Sequence, residues 1–224
     1  MLLAAGRGER MGELTAATPK PLLSIGSESL IARQLRLLAA AGIREIVINV
    51  SWLGEQIREA LGDGSCCGVD ISWSQEGEPP LETCGGIVKA LPLLGSEPFV
   101  VVSSDVVTDF DFARLADGPR PSDRDGVLGT LVLVPNPVHH REGDYGIDER
   151  QRITKRAPLL TYSGVSLLHP DLFRGCRPGR APLRPLFDEA ARRGCLAALR
   201  HDGLWLDVGT PGRLEEARRL LRRS

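Results

Sequence analysis

Nothing in this chain is long and apolar enough to cross a bilayer. A spanning helix needs roughly 20 apolar residues, and no run approaches that. The N-terminus also lacks the charged-then-apolar layout of a secretory leader. No membrane partner is expected. Charge of one sign is missing too: 28 Lys and Arg stand against 29 Asp and Glu, a net of −1. No strongly basic face is expected, which argues against nucleic acid as a partner. Arg218, Arg219, Arg222 and Arg223 do crowd together, but they fall where a terminal helix should end, and a helix C-terminus favours cations. Cysteine is sparse. Five are present, an odd number without C-x-x-C spacing, so reduced thiols in the cytoplasm are expected rather than zinc or a disulfide framework. His139, His140, His169 and His201 fit no ligand spacing and are assigned no chemistry. No P-loop, tandem repeat, Ser-His-Asp set or Cys-His set occurs.

What is present is concentrated in the first two dozen residues. Met1-Leu2-Leu3-Ala4-Ala5 reads as a short buried strand, followed by Gly6-Arg7-Gly8-Glu9-Arg10-Met11. Glycines straight after a strand let the backbone approach a ligand and turn its N–H groups toward an anion. Arg7, Arg10 and Lys20 add three cations, which makes a phosphate cradle. Pro19 and Pro21 flank Lys20 and lower the entropy cost of fixing its ammonium. Met11 stands where a dinucleotide fingerprint has its third glycine, so a nicotinamide-dehydrogenase reading is weak.

The rest of the chain alternates. Ser29 should cap a helix over 30–41, ended by Gly42. A buried strand over 45–50, a helix over 53–61 and a strand over 69–74 follow. This βαβ order predicts a parallel sheet with helices on both faces. The polar loop over 75–86 opens into a helix near 87–91, with Gly85 and Gly86 at the helix start, a place for outward-pointing N–H groups. A fourth strand over 99–103 carries Ser104-Asp105 at its carboxyl edge, where ligands gather in open sheets. A surface excursion over 111–125, a strand over 127–134 and a charged hairpin-like stretch over 139–156 come next. Further strands are expected over 161–168 and 196–199, with a helix over 182–193 between them. Pro211 then opens a terminal helix striped by Leu214, Ala217, Leu220 and Leu221.

Two stretches resemble a known family. Leu3-Ala4-Ala5-Gly6-x-Gly8-x-Arg10-Met11 with Thr18-Pro19-Lys20-Pro21-Leu22, and Trp205-x-Asp207-Val208-Gly209-Thr210-Pro211, are similar to the signatures of the sugar-1-phosphate nucleotidyltransferases. The resemblance spans the chain, strongly at both ends and loosely over about 109–160. It implies an α/β fold: a Rossmann-like, mostly parallel mixed sheet flanked by helices, with a small sugar-facing β insert. One domain over 1–224 is expected, without the C-terminal β-helix domain of some relatives. Nucleotide-binding residues by this resemblance are Ala4, Ala5, Gly6, Gly8, Glu82, Thr83, Gly85 and Gly86. Gly146, Tyr162, Ser163 and Gly164 would face the sugar, and Asp105 and Asp207 would hold Mg²⁺. Leu81-Glu82-Thr83-Cys84-Gly85-Gly86 resembles the base-reading loop of the N-acetylmuramate-1-phosphate branch, with Cys84 replacing a glycine and set to crowd the base or expose a thiol beside it. Ser104 likewise replaces a glycine before Asp105. UTP and N-acetylmuramate 1-phosphate are the expected substrates. Mannose-1-phosphate guanylyl transfer is the alternative, as is a non-catalytic sugar-nucleotide sensor. Monomer or small homo-oligomer is left open.

The implied reaction explains which residues are absent. A phosphomonoester's second pKa is about 6, so a sugar phosphate is already an ionised nucleophile and no general base is required. The difficulty is bringing two polyanions together. A divalent cation on two carboxylates, with Arg10 neutralising a triphosphate and Lys20 bridging toward the reacting phosphate, addresses that repulsion. Arg10 and Lys20 are therefore the candidate catalytic residues.

Overall fold

The computed structural model describes residues 1–121 and 126–222. β1 (Leu2–Leu3) leads into the glycine-rich loop and two tight helical turns, Glu9–Thr15 and Lys20–Leu22. α1 (Leu30–Ala40) starts where Ser29 Oγ accepts from Ala32 N at 3.3 Å, the expected cap, and it buries Leu30, Ile31, Leu35 and Leu38. β2 (Glu45–Val50), α2 (Gly54–Leu61), β3 (Asp70–Gln75), α3 (Glu82–Leu94) and β4 (Phe99–Ser103) complete the alternating half. β5 (Val106–Thr108), a short α4 (Arg114–Asp117) and β6 (Gly129–Val134) follow. The small insert is the hairpin β7 (Gly146–Ile147) and β8 (Ile153–Thr154). β9 (Thr161–Leu168), α5 (Arg184–Arg192), β10 (Leu196–Arg200), β11 (Trp205–Asp207) and α6 (Pro211–Leu221) finish the chain. Part of the expected surface excursion over 111–125, and Arg223, lie outside the described residues.

Seven strands form the main sheet in the order β10-β6-β9-β4-β1-β2-β3, with only β9 antiparallel to its neighbours. Two-residue β1 sits near the centre: Leu2 pairs with Ile48 on one side and Val102 on the other. Its carboxyl end therefore lies beside that of β4, with Ser104 N donating to Leu3 O at 3.2 Å. One apolar cluster packs on each face of the sheet. A third joins Met11, Leu23 and Ile25 to Val107, Leu206, Val208 and Leu214, clamping the opening loop against β5, β11 and α6. That clamp draws the two ends of the chain together.

Two departures from expectation bear on the site. α3 begins at Glu82, five residues before the expected start, because a distant segment serves its first turn. The Ala181 carbonyl accepts from Cys84 N and Gly85 N at 3.0 and 3.1 Å, donors a free helix end would leave unpaired. β5, unforeseen, is three residues long and pairs antiparallel with β11, from Trp205↔Thr108 to Asp207↔Val106.

Candidate active site

Two adjoining cavities open at the carboxyl edge of β1 and β4, sharing Gly8, Lys20 and Pro80. The smaller, about 320 Å³, is lined by six of the expected nucleotide-binding residues: Ala4, Ala5, Gly6, Gly8, Glu82 and Thr83. Lys20, Ser104 and Asp105 line it as well. Gly8 has φ +69°, in the left-handed region, and a Cβ there would press on Lys20 at 3.2 Å. Gly6 is different: a Cβ there would meet nothing within 4 Å, so its missing side chain leaves room for something other than protein.

Gly85 and Gly86 are not in this lining. Both are buried within α3, where a Cβ on Gly85 would lie 2.1 Å from Gly179 O, and one on Gly86 2.4 Å from Glu76 Oε1. They permit close packing instead of presenting free N–H groups, which corrects their assignment to an open loop. Cys84 is also corrected. It is buried in the core, and burial first, then the neighbouring Cys176, pushes its thiol up to about 12. It neither crowds a base nor exposes a reactive sulfur.

Beneath the smaller cavity lies a polar network that the sequence pattern did not reveal. Asn49 Oδ1 accepts from Ala4 N at 3.0 Å, and Asn49 Nδ2 donates to Glu76 Oε1 at 2.7 Å. Leu81 N donates to Glu76 Oε2 at 2.7 Å. Asn49 and Glu76 are each 3% exposed. A buried carboxylate with both oxygens engaged fixes the spacing between β1, β2 and the entry to α3. Glu82 itself holds φ +60°, an unfavourable conformation for a residue with a side chain, at the cavity wall.

The larger cleft, about 910 Å³, gathers Arg7, Arg10, Lys20 and Arg180. Arg10 and Lys20 were expected there. Arg180 was not: its Nε lies 2.8 Å from Glu82 Oε1, brought in by the segment that serves the start of α3. Arg7 donates to Glu78 Oε2 at 3.3 Å and lies over the Trp52 ring at 4.8 Å.

Asp105 and Asp207 come together through β5 and β11. Asp207 pairs with Val106, and Val208 N donates to Asp105 O at 2.8 Å. Asp105 forms an ion pair with Lys20. Asp207 Oδ1 accepts from Arg213 Nη1 at 2.5 Å and lies 2.9 Å from His139 Nε2. Among the described residues no group of three His, Cys, Asp or Glu could hold a metal. Two hard-oxygen carboxylates fit a cation that keeps most of its water, as Mg²⁺ does, and do not fit a closed zinc site.

The expected sugar-facing residues line neither cavity. Gly146 is buried in β7, where a Cβ would lie 2.3 Å from Arg156 O. The Tyr162 ring packs edge-on against Phe187 and its hydroxyl donates to Ser166 Oγ at 3.0 Å. Ser163 O accepts from Trp205 Nε1 at 2.9 Å, and Gly164, at φ +80°, abuts Ser103. Ser163 and Gly164 thus pack against β11, which ends in Asp207, and against Ser103 at the end of β4.

Residues 1–155 match the family described as Nucleotidyl transferase. The chain belongs to that family. It is 46% identical to the N-acetylmuramate alpha-1-phosphate uridylyltransferase of Neisseria meningitidis serogroup B, over 98% of this chain and 96% of that one. The mannose-1-phosphate guanylyltransferase catalytic subunit beta of Danio rerio is 30% identical over 94% of this chain, which spans 61% of that protein. In fold, the chain is similar to a Bacillus anthracis crystal structure assigned as a glucose-1-phosphate thymidylyltransferase. The TM-score is 0.86 at 21% identity, covering 100% of this chain and 94% of that one. HddC from Yersinia pseudotuberculosis gives 0.81 at 19% identity, covering 98% and 97%. The mixed sheet is thus that of the nucleotide-diphospho-sugar transferases, and the chain is a nucleotidyl transferase.

Proposed function

We propose that the enzyme transfers the uridylyl group of UTP to N-acetylmuramate 1-phosphate and releases pyrophosphate, in one displacement, with Mg²⁺ as cofactor. The observation that carries this reading is the Lys20–Asp105 pair in the cavity that Ala4, Gly6 and Gly8 line, with the backbone strand of Asp207 paired alongside Asp105. A phosphate oxygen of the sugar phosphate attacks the α-phosphorus of UTP. The bond from that phosphorus to the bridging oxygen breaks, its electron pair leaves with pyrophosphate, and no proton must move first.

The chain's own residues handle charge and geometry. Gly6 and Gly8 bring backbone donors to the phosphates, and Arg10 offsets the triphosphate. The Lys20 ammonium leaves Asp105 for the reacting phosphate. Asp105 and Asp207 would hold Mg²⁺, which supplies charge neutralisation when bound. Ser163 and Gly164, with Tyr162 and Gly146, brace the sugar side from behind. The reading includes a single domain, as a monomer or small homo-oligomer, in the cytoplasm, where reduced cysteines are the norm.

Two points support uracil over guanine. The relative at 46% identity carries the uridylyl name, whereas the guanylyltransferase stands at 30%. Guanine offers two adjacent donors that match a free carboxylate, and both oxygens of Glu76 are already committed. The sensor alternative drew on Cys84 and Ser104, and Cys84 lies buried away from the cavity. The test is pyrophosphate release across UTP, GTP, CTP and dTTP against a set of sugar 1-phosphates. UTP with N-acetylmuramate 1-phosphate should give the highest kcat/KM. A preference for GTP with mannose 1-phosphate would replace this reading, and nucleotide binding without release across the set would make the chain a sensor.

A further inference from the structure

Arg213 lies in the first turn of α6, where its backbone N–H donates to the capping Thr210 Oγ1 at 3.4 Å. Its side chain is only 13% exposed. The guanidinium rests on Gly209, where a Cβ would lie 2.4 Å from Nη2 and 3.0 Å from Arg10 Nη2. Gly209 thereby admits two guanidinium groups side by side at the wall of the larger cleft.

Arg213 Nη1 reaches two side chains. It donates to Asp207 Oδ1 at 2.5 Å and reaches His139 Nε2 at 2.7 Å. His139 Nε2 also lies 2.9 Å from Asp207 Oδ1, so Arg213, Asp207 and His139 meet at one point. Among the described residues, Asp207 Oδ2 accepts no hydrogen bond.

We propose that Arg213 is a positioning residue for the cation-binding carboxylate: it commits Oδ1 of Asp207, stops the group rotating and leaves Oδ2 for the divalent ion. Through His139 it also ties the loop before β7, on the sugar side, to that carboxylate. The proposal rests on the reading of Asp207 as a metal ligand. A tether that merely fastens α6 to β11 would alter stability alone. A guanidinium that competes with the ion would make its removal tighten binding.

The experiment measures Mn²⁺ affinity of the enzyme–UTP complex without sugar phosphate, by electron paramagnetic resonance. Wild type is compared with R213Q, R213K and D207N, with Tm recorded for each. R213Q should weaken Mn²⁺ binding at least tenfold. R213K should recover part of it, because a lysine keeps the charge without the rigid planar guanidinium that places Nη1. If R213Q does not fold, R213K alone should still show weakened binding. Mn²⁺ affinity in R213Q within twofold of wild type, or tighter than it, would overturn the proposal. Unchanged affinity in D207N would instead remove the reading of Asp207 beneath it.

Discussion

The Lys20 ammonium donates to Asp105 Oδ2, joining the Pro-Lys-Pro turn to the carboxyl end of β4 across 85 positions of sequence. Without substrate, a cation suited to a phosphate and a carboxylate suited to a divalent ion neutralise each other. Both are largely shielded, at 12% and 29% exposure, so neither is left as an uncompensated charge in a partly buried site. On the proposed function, substrate binding would be an exchange of partners rather than a new burial of charge.

From this exchange follows the first expected outcome. Asp105→Asn and Asp207→Asn keep shape and hydrogen-bonding capacity but lose the charge that holds the cation. Pyrophosphate release should fall more than a hundredfold in each, on the order of 3 kcal/mol of lost transition-state stabilisation. Circular dichroism and Tm should stay close to wild type. Turnover near wild type in either variant would contradict the cation assignment.

Three glycines separate space kept for the protein from space kept for a ligand. Gly85→Ala would drive a methyl onto the Gly179 carbonyl, 2.1 Å away, and overpacking of that kind costs about 1–3 kcal/mol. Gly86→Ala strikes Glu76 and Asn49 in the same way. Both should lower Tm by several degrees. Gly6→Ala meets no protein atom within 4 Å and should leave Tm nearly unchanged. Its expected effect is on UTP, a KM at least tenfold higher, because the methyl occupies the path by which phosphate reaches the backbone. Equal KM in wild type and Gly6→Ala would move the triphosphate elsewhere.

What could be read in the sequence was local or periodic. Ser29 announced its helix, the apolar runs of β2 and β4 announced theirs, the two signature stretches carried Lys20 and Asp207, and Asp105 stood at the carboxyl edge of β4. What escaped depends on partners far along the chain. α3 starts early because Ala181 supplies an acceptor, and Arg180 reaches the cleft on the same segment. Asn49 and Glu76 look like ordinary strand-end residues until Ala4 and Leu81 are seen to depend on them. His139 was passed over because no ligand spacing surrounds it; its partner is Arg213, 74 positions away. The position of Cys84 was legible, but the direction of its side chain was set by a helix turn that the pattern did not predict.

Cys84 gives a chemical check on that direction. With its thiol pushed up to about 12, very little is thiolate at pH 8, and thiolate is the reactive form. Iodoacetamide should modify exposed Cys66 first and leave Cys84 unmodified in the folded enzyme, as peptide mass mapping would register. UTP binding should survive that treatment. The stability consequence has a definite sign. The folded thiol holds its proton to higher pH than the unfolded one, so its contribution is intact below about 8.5 and declines as pH rises from there toward 12. Cys84→Ala should flatten that part of the Tm–pH curve. Rapid labelling of Cys84 that UTP prevents would return the thiol to the nucleotide cavity.

The network under the nucleotide cavity leads to the last expectation. Glu76→Gln preserves size but replaces one acceptor oxygen with an NH₂ donor. That donor would face either the Asn49 Nδ2 donor or the Leu81 N–H, now 2.7 Å from the two carboxylate oxygens. One donor must be left unpaired in a site that is 3% exposed, a cost of about 1–3 kcal/mol. Relief would come from movement of Asn49, which holds Ala4, or of Leu81, which leads into Glu82 and Thr83. Either shift deforms the wall of the smaller cavity, where the proposed function puts the base, while leaving Lys20, Asp105 and Asp207 in place. The expected signature is a higher KM for UTP, weaker discrimination between UTP and CTP, and a kcat within a few-fold of wild type. A collapse of kcat with unchanged KM would mean that Glu76 serves the phosphate chemistry and not the shape of the base pocket.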